Sequence, residues 1–235
     1  MLVLSLFPGI GLLDQGFEEE GFCVVRGPDL LWGGNVKRFN PPAGKFAGVI
    51  GGTPCQAHSS LVSLIRHNGQ KVAECLIPEF ERVVHEAQPE WFLMENVIKA
   101  PLPSVTGYQV DPTLLDNRWL GEKQSRLHRF SFGTRDGRRL VYDTVALERM
   151  DFSPRVLAAA GGERKTAREL KGGRIRKGMP WAESCRLQGL PPDFDLPGFT
   201  DKAKRKALGN AVPLPMAREV ARAVRRATSL PELAA

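Results

Sequence analysis

The sequence predicts an α/β fold, a parallel sheet joined by helical crossovers. Three observations lead there. Short apolar runs closed by glycines recur in the first half: LVLSLF, CVVRG and AGVIGG, with PEWFLMENV following as a fourth strand. Between them lie stretches whose apolar residues recur every third or fourth position, LLDQGFEEEGF and AECLIPEFERVVHEAQ. A chain of 235 residues, 42% hydrophobic and 25% charged, is also long enough to bury such a sheet.

Taken in order, LVLSLF is the first strand and PGIG a turn. LLDQGFEEEGF is a helix ending at Gly21, and CVVRG is the second strand. The stretch from Asp29 to the next apolar run is short, as if the usual crossover helix were missing. AGVIGG, the amphipathic helix and PEWFLMENV then follow. From Thr134 to Lys177 the pattern loosens into broken apolar runs with 12 Lys and Arg and two Gly-Gly pairs. WAESCRLQGLPPDF and KRKALGNAVPLPMAREVARAVRRA restore firm patterning, the second ending in a long amphipathic helix, and the tail SLPELAA is expected to fray. The division is therefore 1–133, a small inserted region 134–178, and a returning segment 179–235.

No apolar run is long enough for a membrane helix, and MLVLSLFPGIG lacks the basic leader of a signal peptide, so a cytoplasmic protein with no membrane contact is expected. Cys23, Cys55, Cys75 and Cys185 form no CxxC pair, and His58, His67, His85 and His128 stand at no metal-ligand spacing to them. No metal and no disulfide framework are expected. Residues 1–116 carry 8 Lys and Arg against 13 Asp and Glu, and residues 117–235 carry 25 against 13. That asymmetry suggests a polyanion on the second half, although a solvated basic surface would produce the same count.

Cys55 sits in GGTPCQAHSS, a loop whose glycines and proline fix an unusual path and admit close approach of another molecule. The FPGIG turn between the first strand and helix would admit a ligand beside a helix N-terminus, and Asp29 after the second strand could accept from ribose hydroxyls. Together they imply an adenosine-type cofactor. Glu95 in MENV ends what should be the strand next to the Cys55 strand, so both can face one pocket. A thiolate with a proton-donating carboxyl suits conjugate addition to C6 of a pyrimidine, with Arg126 in QSRLHR orienting the pair.

These residues carry a resemblance to the DNA cytosine-5 methyltransferases, running from residue 4 to about residue 222. FPGIG resembles the family's FxGxG turn, TPCQAHS its PCQ loop, MENV its ENV segment and QSRLH its QxRxR segment. ESCRLQGLP is similar to RLQGFP and LGNAVP to the closing GNAVP. All six occur in family order. The resemblance implies a Rossmann-like S-adenosylmethionine-dependent methyltransferase sheet with a small target-recognition insert, in a compact stand-alone member of phage or prophage type. It implies Cys55 as nucleophile, Glu95 on N3 and the amine of a flipped cytosine, and Arg126 and His128 completing the catalytic set. S-adenosylmethionine, leaving as S-adenosylhomocysteine, would be lined by Phe7, Gly9, Ile10, Gly11, Asp29, Leu30, Asn35, Val36, Pro54, Asn210 and Val212. Double-stranded DNA would meet Gln56, Ser59, Arg129, Arg135, Arg138, Arg139, Arg174, Arg176 and Lys177. A monomer is expected, and whether a cognate restriction endonuclease accompanies it is not written in the residues.

Departures from the pattern matter. His128 stands where the family has its second arginine, with Arg129 one place on, and brings a pH-sensitive contact. His58 replaces the usual Phe after PCQ, either as a functional contact or as a solvated loop histidine. Ser5 stands where an acid often precedes the LF pair, and Asn35 replaces the adenine-contacting Asp, its side-chain oxygen still able to accept from an amine. The brevity of 134–178 predicts a short or relaxed target of about two to four base pairs, against the alternative of a well-specified reader in miniature. The same chemistry on RNA, and a weakened DNA-binding relic, remain as competing readings.

Overall fold

The computed structural model describes residues 1–54, 58, 74–145 and 179–229. Six strands form one sheet in the order β2-β1-β3-β4-β6-β5. They are β1 Leu2–Leu6, β2 Cys23–Arg26, β3 Gly48–Gly52, β4 Trp91–Asn96, β5 Gln109–Asp116 and β6 Leu127–Thr134. The first four run parallel, as the sequence predicts. β6 pairs antiparallel with both β4 and β5, so the far edge is a hairpin that the sequence reading did not contain.

Five helices are described: α1 Leu12–Glu19, α2 Ile77–Ala87, α3 Trp181–Leu187, α4 Asp201–Asn210 and α5 Leu214–Thr228. Between β2 and β3 the described chain has only the short 3₁₀ turns Leu30–Trp32 and Val36–Arg38, in keeping with the missing crossover helix. None of the described helices is long and apolar enough to cross a membrane.

β4 shows why the sheet holds together. All six of its residues are buried, and they alternate between two layers. Trp91 and Leu93 face α1 and α5 with Phe17, Phe130, Phe132, Met216 and Val220. Phe92 and Met94 face α2 with Phe80, Val83 and Val84. A third, smaller cluster of Leu12, Cys185, Leu187, Leu190, Leu208 and Leu214 binds the returning segment to the start of α1.

The stretch that follows residue 133 begins on the body. Residues 134–145 stay on the body: Leu140 is buried in the α1/α5 layer, Val145 N–H donates to the Trp119 carbonyl, and Asp143 pairs with Arg226. The inserted region therefore starts no earlier than residue 146, because an apolar side chain and a backbone bond anchor the chain up to there.

α1 and α5 approach closely over Gly16, where an added Cβ would lie 2.6 Å from the Ala217 backbone. Arg218 pairs with Glu19 and Arg222 with Glu20 across the same seam. Gly16→Ala should therefore destabilise the chain by about 1–3 kcal/mol through overpacking, read as a lower urea midpoint at an unchanged slope.

Candidate active site

The carboxyl ends of β1 to β4 converge on one edge of the sheet, and the chain reversal between β1 and β3 opens a crevice there. The Phe7–Gly11 turn lines it first. Three of its residues have left-handed backbones, Phe7 (φ 56), Gly9 (φ 57) and Gly11 (φ 80). Such a turn must be held from outside, and Asp29 does part of this. Its Oδ2 accepts from Gly9 N–H at 2.9 Å, and its Oδ1 accepts from Leu31 N–H at 2.7 Å. A Cβ built on Gly9 would touch nothing within 4 Å, so the turn presents open space beside its backbone.

The other expected cofactor residues divide. Ile10 packs against the third cluster, Leu30 is 74% exposed, Pro54 is half-buried at the exit of β3, and Asn210 is exposed at the end of α4. The Asn35 side-chain oxygen accepts from Lys37 N–H at 3.0 Å and keeps its second lone pair. The side chains of Val36 and Val212 are buried in the α2 and α1/α5 layers, because the short turn and the start of α5 need apolar anchors there.

Ser5 also finds its acid, from a different element. Its hydroxyl donates to Asp14 Oδ1 at 2.5 Å, and Arg26 Nε reaches Asp14 Oδ2 at 3.1 Å. The carboxylate missing from position 5 is thus supplied by the first turn of α1. Burial raises the Asp14 pKa, against the lowering effects of Ser5 and Arg26.

Glu95, Arg126 and His128 come together. In β6 the residues at 128 and 130 fall on one face by the period of two, with Arg126 just before the strand, and Phe130 pairs with Glu95 across the ladder. His128 therefore sits diagonal to Glu95 and over it. Arg126 Nε donates to His128 Nε2 at 2.7 Å, and Arg126 Nη2 donates to the Gly209 carbonyl at 3.0 Å. His128 Nδ1 bonds Glu95 Oε1. A guanidinium only donates, so His128 Nε2 must be the acceptor and the ring proton sits on Nδ1, facing the carboxylate. All three side chains are buried.

Residues beyond those expected complete the arrangement. Glu95 Oε2 lies 3.0 Å from where a Gly52 Cβ would be, so glycine there leaves that oxygen more room than any other residue would. Asn96 Nδ2 donates to the Thr53 hydroxyl at 2.5 Å, tying the end of β4 to the base of the Cys55 loop. Gln124 Nε2 donates to the Leu187 carbonyl, and Gln188 Nε2 to that of Leu208. The paired glycines at 51–52 and the NV after Glu95 were the available signals for the first two. The His58 ring lies 3.2 Å from the Cys75 sulfur.

Cys55, Gln56, Ser59, Arg174, Arg176 and Lys177 lie outside the described residues. Four arginines expected at nucleic acid are described. Arg129 is buried and its guanidinium donates to the carbonyls of Ile98, Ala100 and Pro101, so it holds the loop after β4. Arg135, Arg138 and Arg139 follow Thr134, which pairs with Trp91 at the opposite end of β4 from Glu95. There Arg135 stacks on Tyr108 at 5.0 Å, Arg138 pairs with Asp136, and Arg139 lies 3.9 Å from Asp111. β6 runs antiparallel and carries the chain from the Glu95 end of β4 to the opposite end.

Comparison with known proteins agrees with the geometry. A family model described as C-5 cytosine-specific DNA methylase matches residues 35–101 and 156–226. The chain is 25% identical over 227 residues to the orphan methyltransferase M.SPRI of Bacillus phage SPR, covering 82% of this chain and 50% of that protein. It is 34% identical over 113 residues to the type II methyltransferase M.FnuDI of Fusobacterium nucleatum, covering 41% and 32%. The chain thus spans half or less of the length of these curated relatives. In fold it is similar to the Entamoeba histolytica methyltransferase EhMeth, with a TM-score of 0.63 at 13% identity over 98% of this chain and 99% of that one. A putative DNA modification methyltransferase encoded within an E. coli prophage gives 0.61 at 17% identity over 97% and 99%.

The raised Asp14 pKa fixes the sign of one pH effect. The native chain holds this proton more tightly than the unfolded chain, so the contribution is full below pH 3.8 and is lost as pH rises through the native value. In urea denaturation across that window, the stability difference between Asp14→Asn and wild type should move in favour of the Asn variant as pH rises.

Proposed function

The chain belongs to the C-5 cytosine-specific DNA methylase family, and from that premise we propose that it methylates C5 of a cytosine rotated out of double-stranded DNA. The observation that carries this reading is the Arg126–His128–Glu95 chain at the end of β4, beside the strand that leads into Cys55.

The Phe7–Gly11 turn fits S-adenosylmethionine: Gly9 leaves open space, and each Asp29 oxygen keeps a lone pair for a ribose hydroxyl while holding the turn. Gly11, Leu30, Asn35 and Pro54 border the same crevice. Bound there, S-adenosylmethionine would supply an electrophilic methyl group for C5.

The residues of the chain do the rest. The Cys55 thiolate forms a bond to C6, and the electron pair of the C5–C6 double bond moves to C5. Glu95, held by the His128 Nδ1–H at one oxygen, would enter as the carboxylic acid and donate the proton of its other oxygen to N3, so the ring accepts the added electron density, and that proton returns to Glu95 when the adduct breaks down. Arg126 acts through His128 and anchors the pair to Gly209. After C5 is methylated, its proton leaves to a base, the Cys55–C6 bond breaks, and the thiolate is regenerated. Rotation of the base is required because these atoms are hidden in the duplex. The intact buried chain argues against a relic. We take the protein to act on DNA as a monomer in the cytoplasm, with a short target read by residues 146–178.

Cys55→Ala should abolish methylation while leaving DNA binding in place. The check is base-resolution cytosine mapping of duplex DNA incubated with the chain and S-adenosylmethionine, with tRNA incubated in parallel. Methylation retained by that variant would remove Cys55 as nucleophile, and methylation of tRNA alone would replace DNA as substrate. His128→Ala should lower kcat by on the order of 10²-fold, because Glu95 loses its fixed orientation. Binding of S-adenosylhomocysteine by that variant should be unchanged in titration calorimetry.

A further inference from the structure

We infer that Trp32 is a positioning residue for the cofactor turn, gripping the Gly9 carbonyl, an inference that rests on reading Phe7–Gly11 as the S-adenosylmethionine site. The turn needs such a grip. Phe7 is a non-glycine residue with φ 56, a left-handed conformation that an L side chain disfavours. Asp29 holds the Gly9 N–H at 2.9 Å, and Trp32 Nε1–H donates to the Gly9 carbonyl at 2.6 Å. One residue of the turn is thus held on both sides by a single stretch, 29–32.

That stretch is itself locked. Asp29 accepts from Leu31 N–H, Gly34 N–H donates to the Asp29 carbonyl at 2.8 Å, and Gly33 closes the 3₁₀ turn with φ 82. Core packing does not account for Trp32, because its residue is 59% exposed and belongs to none of the three buried clusters. Its ring instead meets Phe199 edge-on, centroids 5.6 Å apart at 72°. Phe199 immediately precedes Thr200, the N-cap of α4, and the far end of α4 carries the Gly209 carbonyl that holds Arg126. Trp32 therefore joins the cofactor turn to the helix that anchors the catalytic chain.

The test is calorimetric titration of the full chain with S-adenosylhomocysteine, comparing wild type with Trp32→Phe, which keeps a ring against Phe199 and removes the donor. Trp32→Phe should bind roughly tenfold more weakly, with the same melting temperature without ligand and the same affinity for duplex DNA. In turnover the loss should fall on KM for S-adenosylmethionine and leave kcat nearly unchanged. If wild type binds and Trp32→Phe binds equally well, the Trp32 assignment is overturned while the site stands. An equal weakening of DNA binding would mark a general structural role and also overturn it. A wild-type chain that binds no S-adenosylhomocysteine would overturn the site and the inference together.

Discussion

A strand buried on both faces has nowhere to put a polar side chain until it ends. β4 obeys this constraint: Trp91, Phe92, Leu93 and Met94 fill two apolar layers in alternation, and Glu95 and Asn96 come at the strand's last two positions. β3 is similar, with Val49 and Ile50 buried on opposite layers before Gly52, Thr53 and Pro54. Polar chemistry is thereby confined to one edge of the sheet, and the rigidity of the ladder passes directly to Glu95. The register places Gly52 opposite Glu95, so the smallest residue stands beside the carboxylate that needs the space.

What completes the site comes from the opposite strand direction. β6 begins where β4 ends, and its alternation lays Arg126 and His128 along the face that carries Glu95. The QxRxH spacing is thus a strand period, with Gln124 continuing the row to reach Leu187. Replacing an arginine by His128 is not a loss in this setting. A second arginine could only donate, and it would set two cations side by side. A neutral imidazole accepts from Arg126 and donates to Glu95, so one side chain relays the anchoring of Gly209 to the carboxylate.

Much of this was legible because it depends on local patterning. Apolar runs closed by glycines gave the four parallel strands, the short Asp29-to-β3 stretch gave the absent crossover helix, and Glu95 could be placed at a strand end. The β5–β6 hairpin was not legible. β5 is an edge strand, half-exposed and interrupted by Pro112, and β6 carries Arg129 and Ser131 among its apolar residues. That reversal sets Arg135, Arg138 and Arg139 at the far end of β6 from Glu95, since eight residues of strand carry a chain roughly 25 Å. Asp14 and Trp32 were hidden for another reason: each acts on a residue distant in sequence, Ser5 and Gly9.

The charge asymmetry also finds a physical account. Several cations of the basic second half are used within the molecule. Arg218 and Arg222 on α5 pair with Glu19 and Glu20 of α1, and Arg225 donates to the Glu20 carbonyl. Arg226 pairs with Asp143 and Glu219, and Arg129 is spent on backbone carbonyls. Such cations staple helices and loops and leave little field for a polyanion. Residues 146–178 add nine Lys and Arg against four Asp and Glu. The chain enters and leaves that segment beside the site: Val145 is bonded to Trp119, just past the β5 end that pairs with Leu127, and Arg205 of α4 donates to the Met179 carbonyl. Under the proposed reading, a basic segment attached at those two points is the natural source of phosphate contacts for a DNA that presents a base to Glu95.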